Sequence, residues 1–204
     1  MDSQAHWDYV YQTKSPDQTS WYQPHLQTSL DWISTAVSDR SASIIDVGGG
    51  ESTLADDLLA LGYLNVTVLD IAEAAIAKSR HRLGSAADAI NWLVADITTA
   101  TLPPRTYDLW HDRAVFHFLT DPAQRRSYAR QLASSLRPAG HAVIACFGPG
   151  GPQKCSGLAT TRYDSDSLLH ELGSDFRIAR SALVDHQTPF GTTQQFLYCD
   201  FILA

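Results

Sequence analysis

Cysteine is scarce in this 204-residue chain. Cys146, Cys155 and Cys199 are odd in number and far apart. They outline no disulfide framework, and no Cys-x-x-Cys or comparable Cys, His and Asp spacing offers a metal site. Charged residues make up 18% of the chain against 44% hydrophobic, the balance of a folded globular protein rather than a disordered one. Surplus positive charge is also missing. A net charge of −7 and a pI near 5.5 argue against binding to bulk nucleic acid or to an anionic membrane surface. No apolar run approaches the roughly 18 residues of a membrane span, and no basic-then-apolar leader opens the chain. Neither an internal repeat nor a low-complexity tail is visible. These absences predict one domain over residues 1–204, cytoplasmic, with reduced thiols, as a monomer or homodimer.

What is present is organised around Ile44-Ile45-Asp46-Val47-Gly48-Gly49-Gly50-Glu51-Ser52. A short β-branched strand ends on Asp46, turns through glycines and opens an amphipathic run over 52–61. Glycine permits positive φ and lets a ligand approach the backbone, so this is a nucleotide-site pattern. The next strand, over 65–70, ends on Asp70, an acid placed to accept both hydroxyl protons of a ribose. A dinucleotide turn would read Gly-x-Gly-x-x-Gly. Here Gly48-x-Gly50 is followed by Glu51, Ser52 and Thr53, which disfavours a nicotinamide-dependent oxidoreductase. A third station is Trp92-Leu93-Val94-Ala95-Asp96-Ile97.

Asp-x-Gly-x-Gly, an acid ending the second strand and Asp-Ile after the third resemble class I S-adenosylmethionine-dependent methyltransferases. The resemblance runs from about Ser41 to Phe147. It implies S-adenosyl-L-methionine as cofactor and S-adenosyl-L-homocysteine as its product. The residues it places at the cofactor are Trp21, Asp46, Gly48, Gly49, Gly50, Ser52, Asp70, Ile71, Asp96, Ile97, His111 and Arg113. The implied partner is a methyl acceptor, either a small molecule or a protein side chain. A catalytically silent cofactor-binding protein is the alternative, although intact Asp46, Gly48, Gly50, Asp70 and Asp96 argue against a decayed site.

Alternating strand and helix patterns predict a doubly wound, mostly parallel α/β sheet of seven strands, in order 3-2-1-4-5-7-6, with helices on both faces. After strand three come strand four over 107–111, a helix over 122–136, strand five over 141–147 and a helix over 164–172. A terminal antiparallel pair covers 176–185 and 194–203. Ahead of the sheet, residues 1–40 carry Trp7, Tyr11, Trp21 and Trp32, with a helix from Pro24 to about Val37. Trp7-Asp8-x-x-Tyr11 followed by Ser20-Trp21-Tyr22 resembles the N-terminal lid of some methyltransferases; the same rings equally suit core anchors.

Tyr107 to Leu119 crowds His111, Asp112, Arg113 and His117 at the end of strand four, where open α/β sheets bind ligands. Methyl transfer to nitrogen, oxygen or thiol benefits from a proton acceptor, and Asp112 and His117 are the candidate catalytic bases. An Asp112–Arg113 pair with a packed His117 is the structural alternative. Trp21, Tyr22 and Phe116 are candidates to shield a sulfonium. The glycine-rich loop over 148–157 carries Cys155, read as structural or substrate-lining.

Overall fold

The structure, a computed structural model, describes residues 3–204. Five parallel strands form the body of the sheet: β1 (Ser43–Val47), β2 (Asn65–Asp70), β3 (Ile90–Val94), β4 (Tyr107–Arg113) and β5 (Leu136–Phe147). Two long antiparallel strands, β6 (Phe176–Gln187) and β7 (Thr193–Leu203), complete it in the order β3-β2-β1-β4-β5-β7-β6. Order and direction are those the alternating pattern predicts. A two-residue hairpin, Lys154–Cys155 against Leu158–Ala159, stands apart from the sheet.

Strands buried on both faces are apolar almost throughout, as in Ile44, Ile45 and Val47 or Val143, Ile144 and Ala145. Successive side chains go to opposite faces, so each strand feeds two cores. On one face Ile44, Val66, Val68 and Leu109 meet α2 (Gln27–Ala36) and α3 (Leu54–Ala60) through Leu30, Ile33, Leu54 and Leu58. On the other, Ile45, Val47, Trp110 and Ile144 meet α5 (Pro122–Ser135) and α6 (Ser165–Leu172) through Tyr128, Leu132, Leu168 and Leu172. The Asp121 carboxylate accepts from the Ala123 N–H to start α5, with Pro122 just inside it. The helix α1 (Ser3–Thr13) rests on α4 (Glu73–Leu83), where Tyr11 packs against Ala72 and Ala75.

Two boundaries differ from the sequence reading in ways that matter for the site. β4 continues past His111 to Arg113, because Asp112 and Arg113 pair with Ile144 and Ala145 of β5. β5 starts at Leu136 rather than at His141. It pairs first with Tyr107, bulges over 137–140 with Ala139 at φ +61°, and resumes pairing at His141. Sheet pairing thus overrides the Pro-Ala-Gly turn signal. Among the described residues no helix is long and apolar enough to cross a membrane.

Candidate active site

The chain leaves β1 through Gly48 at φ +71° and Gly50 at φ +51°, a conformation that side chains disfavour. The Gly48 N–H donates to the Leu69 carbonyl at 2.7 Å, which ties the turn to the end of β2. A Cβ on Gly48 would run into the Val115 side chain, and one on Gly50 would stand 2.7 Å from the Tyr11 hydroxyl. Ser52 then accepts from the Leu54 N–H at 3.0 Å and opens α3.

A cleft lies over this turn at the carboxyl ends of the parallel strands, where the sheet order reverses between β1 and β4. Its β2–β3 side holds Asp70, Ile71, Asp96 and Ile97; its β4–β5 side holds Arg113, Val115, His117 and Phe147. Trp7 and Tyr11 of α1, with Trp21, wall it from the N-terminal segment. A smaller lobe runs beneath the turn, lined by Asp46, Gly49, Glu51, Ser52, Tyr22 and His111. Both lobes share Tyr11, Trp21, Gly48 and Arg113.

The acids at the strand ends are held differently. Asp70 is buried and accepts from the Ala72 N–H at 2.8 Å; burial, aided by the nearby Asp46 charge, raises its carboxyl to about 7. Asp96 accepts from the Thr98 N–H at 2.8 Å and the Thr98 hydroxyl at 2.7 Å, which orients it from the loop side. Asp46 meets His111 Nδ1 at 2.7 Å, and His111 Nε2 lies 2.9 Å from the Ser29 hydroxyl, so both ring nitrogens are engaged. Arg113 donates to the Trp21 carbonyl at 2.9 Å and lies over the Phe196 ring at 4.8 Å. His186 donates through Nε2 to the Ser20 carbonyl at 2.7 Å, a second tie on the N-terminal segment.

Neither candidate base has the geometry of one. Strand alternation turns Asp112 away from the cleft, toward α5, where it accepts from the Val115 N–H at 2.9 Å, the Phe116 N–H at 3.2 Å and the Tyr128 hydroxyl at 2.7 Å. It does not line the cleft, and a carboxylate with three donors is a structural acceptor. His117 does line the cleft, but its Nδ1 accepts from the Phe147 N–H at 3.2 Å, and burial with the Arg113 charge lowers its pKa to about 3. A neutral imidazole so engaged offers an N–H, not a lone pair. The Asp112–Arg113 pair is absent too, since each residue bonds elsewhere. Phe116 is fully buried against Tyr128 and Tyr163 rather than facing the cleft. Gly50 lines neither lobe; its carbonyl accepts from the Ser79 hydroxyl at 2.8 Å.

The remaining candidates named from sequence come together around the two lobes, with Tyr22 and Cys155 among them. The Cys155 sulfur lies 3.6 Å from the Ser20 hydroxyl, and burial raises its thiol. Sequence reasoning missed Phe118, Phe147 and Phe196 as cleft walls. Only the apolar runs within β5 and β7 hinted at the last two, and pairing of Phe147 with Phe196 brings them to one place. Among the described residues, no cluster of three or more His, Cys, Asp or Glu is placed to hold a metal ion.

Seven strands in this order, a glycine turn after β1 and acids after β2 and β3 define the class I S-adenosylmethionine-dependent methyltransferase fold. Residues 44–140 match the family described as a methyltransferase domain. Nodulation protein S of Rhizobium fredii is 36% identical over 79 residues, which is 39% of this chain and 44% of that protein. The chain therefore matches less than half the length of this curated relative. The structure reported for conversion of a disulfide bond into a thioacetal group during echinomycin biosynthesis superposes with a TM-score of 0.79 at 20% identity, covering 98% of this chain and 92% of that one. The N-methyltransferase NodS of Bradyrhizobium japonicum WM9, in complex with S-adenosyl-L-homocysteine, superposes with a TM-score of 0.71 at 16% identity, covering 96% of this chain and 97% of that one.

The residues around the lobes suit such a cofactor. Gly48 offers bare backbone to both lobes, Asp70 presents a carboxyl that suits hydroxyl donors, and Ile71 and Ile97 offer apolar surface beside Asp96.

Proposed function

We propose that this protein moves a methyl group from S-adenosyl-L-methionine to a small-molecule or protein side-chain acceptor, with S-adenosyl-L-homocysteine as the second product. The observation that carries this reading is the cleft at the strand ends, with nucleoside-suited acids on one side of Gly48 and an aromatic compartment on the other. When bound, the cofactor supplies an electrophilic methyl group on a sulfonium, and in-line positioning of the acceptor is the main source of rate. Asp70 takes the ribose hydroxyls, Asp96 and Ile97 the adenine edge, and the smaller lobe at Gly49, Ser52 and His111 the amino-acid tail. Tyr11 and Trp21, with rings 6.4 Å apart, stand beside the sulfonium and favour its charge through their faces. Arg113 joins the two lobes.

The domain reading is that residues 1–204 form one methyltransferase unit, with 1–40 covering the core formed by 41–204. Met1 and Asp2 lie outside the described residues.

Calorimetry with S-adenosyl-L-homocysteine tests the site. Wild-type protein should bind it, and Gly48→Val should not, because the new side chain would collide with Val115. Full affinity in that variant would remove the turn from the cofactor site. Labelled methyl transfer into metabolite pools and lysate protein then shows which acceptor class takes the label; binding without any transfer would mark a silent partner.

A further inference from the structure

The aromatic compartment of the cleft holds a polar atom that the fold itself does not use. His117 is fully buried, its ring stacked on Phe147 with centroids 4.0 Å apart and planes 6° apart. Its Nδ1 accepts from the Phe147 N–H, so the ring proton sits on Nε2. That Nε2 is buried without a hydrogen-bond partner among the described residues, and the residue lines the cleft. A buried donor left unmade in a cleft points to a ligand group that meets it.

Its surroundings narrow what that group is. Burial, helped by the Arg113 charge, keeps the imidazole neutral, and the Arg113 Nε is itself buried and unpartnered among the described residues. The carboxyls lining the cleft, Asp70 and Asp96, belong to the β2–β3 side, across Gly48 from His117. Among the described residues, then, the compartment near His117 has N–H donors and positive charge but no carboxylate. Its walls are flat rings: Trp7, Phe118, Phe147 and Phe196.

We propose, resting on the methyl-transfer reading above, that the acceptor is a small, flat organic acid that enters as its oxyanion, a carboxylate or phenolate received by His117 Nε2–H beside Arg113. The oxyanion lone pair forms the new O–CH3 bond, and the C–S pair stays on sulfur, which becomes a neutral thioether. One positive and one negative charge cancel, giving a neutral ester or ether, and no proton has to leave. This explains why neither Asp112 nor His117 is arranged as a base: an acceptor that arrives ionised requires none. His117 is thus a binding donor for the acceptor, and the Phe147 N–H that fixes its tautomer is a positioning group.

The test is a titration of wild-type protein already loaded with S-adenosyl-L-homocysteine, at near-neutral pH, using benzoate, benzamide and benzylamine as probes of one shape and salicylate as a second acid. The acids should bind at least about tenfold more tightly than the amide or the amine, the scale of one charge-assisted hydrogen bond. The His117 Nε2–H resonance should move downfield with benzoate and stay in place with benzylamine. His117→Gln, which keeps an N–H, should retain the preference for acid. His117→Phe should lose it while still binding S-adenosyl-L-homocysteine. Should His117→Phe fail to fold because the Phe147 N–H loses its acceptor, the wild-type preference and the resonance decide the matter. Benzamide or benzylamine binding as tightly as benzoate, or no acid binding at all, would overturn the proposal. Failure of S-adenosyl-L-homocysteine itself to bind is a separate outcome, and it would overturn the methyl-transfer reading on which the proposal stands.

Discussion

Asp70 is 5% exposed, and burial raises its carboxyl from 3.8 to about 7. A carboxyl whose pKa is raised on folding favours the folded state below the unfolded value, and that gain is lost as pH rises through the folded value. Asp70→Asn has no proton to lose. Its melting temperature relative to wild type should therefore climb between about pH 4 and about pH 8, while the variant binds S-adenosyl-L-homocysteine more weakly. Asp112, raised to about 6, and His117, lowered to about 3, titrate in both proteins and cancel from the difference. Thermal melts across that range decide it; a flat difference would mean that Asp70 is solvated in the fold. With Asp70 taking the ribose hydroxyls as proposed, cofactor affinity in wild type should improve as pH rises through about 7, since hydroxyl donors favour the ionised carboxylate. The place of Asp70 was open to sequence reading, since an acid ending the second strand is a local signal. The tautomer of His117 was not, because it depends on the Phe147 N–H, thirty residues away in sequence.

At the scale of elements, the N-terminal segment holds the body through a few polar ties and ring edges. The Asp8 carboxylate accepts from the Ala74 N–H at 3.0 Å, Lys78 donates to the Lys14 carbonyl at 3.1 Å, and Arg113 and His186 hold the carbonyls of Trp21 and Ser20. Trp7 meets Trp21 and Phe118 edge-on at 5.8 and 5.0 Å between centroids, directly over the cleft. An element joined in this way opens at lower cost than the strands beneath it. Amide exchange over residues 3–23 should slow by roughly tenfold or more when S-adenosyl-L-homocysteine fills the cleft. Exchange over β5 should not change. Equal protection of 3–23 with and without ligand would return Trp7 and Trp21 to the part of fixed core anchors. Tyr11 belongs to both readings, buried against Ala72 and Ala75 while its hydroxyl approaches the glycine turn.

On the scale of the whole molecule, the two larger cores lie on opposite faces of the sheet and share no side chains among the described residues. Leu58 of α3 lies in one and Leu132 of α5 in the other, both fully buried. Each Leu→Ala change should cost about 2–5 kcal/mol, the transfer loss plus the cavity left behind. With a sheet between them, the two losses should add to within about 0.5 kcal/mol in the double variant. Denaturant unfolding of the two single variants and the double checks this. A clear shortfall from additivity would show that the layers relax together, so that helix packing on one face is felt at the other.

By itself the sequence determined the elements and their order: β-branched runs, the glycine turn, the acids closing β2 and preceding Ile97, and the caps of α5 and α6 are all local patterns. These signals work because glycine conformation, capping and side-chain periodicity act over a few residues. What the tertiary structure alone decided was the facing of each charged group. Pairing with β5 carried β4 on to Arg113, and the two-residue alternation then sent His111 to Ser29 and Asp112 to Tyr128, splitting a cluster that is contiguous in sequence. The same long-range pairing set Phe147 opposite Phe196 and stacked His117 upon Phe147, turning a candidate base into a hydrogen-bond donor. Hydrogen-bond partners and burial come from chain segments far apart in sequence, and they govern protonation and direction more strongly than residue type does.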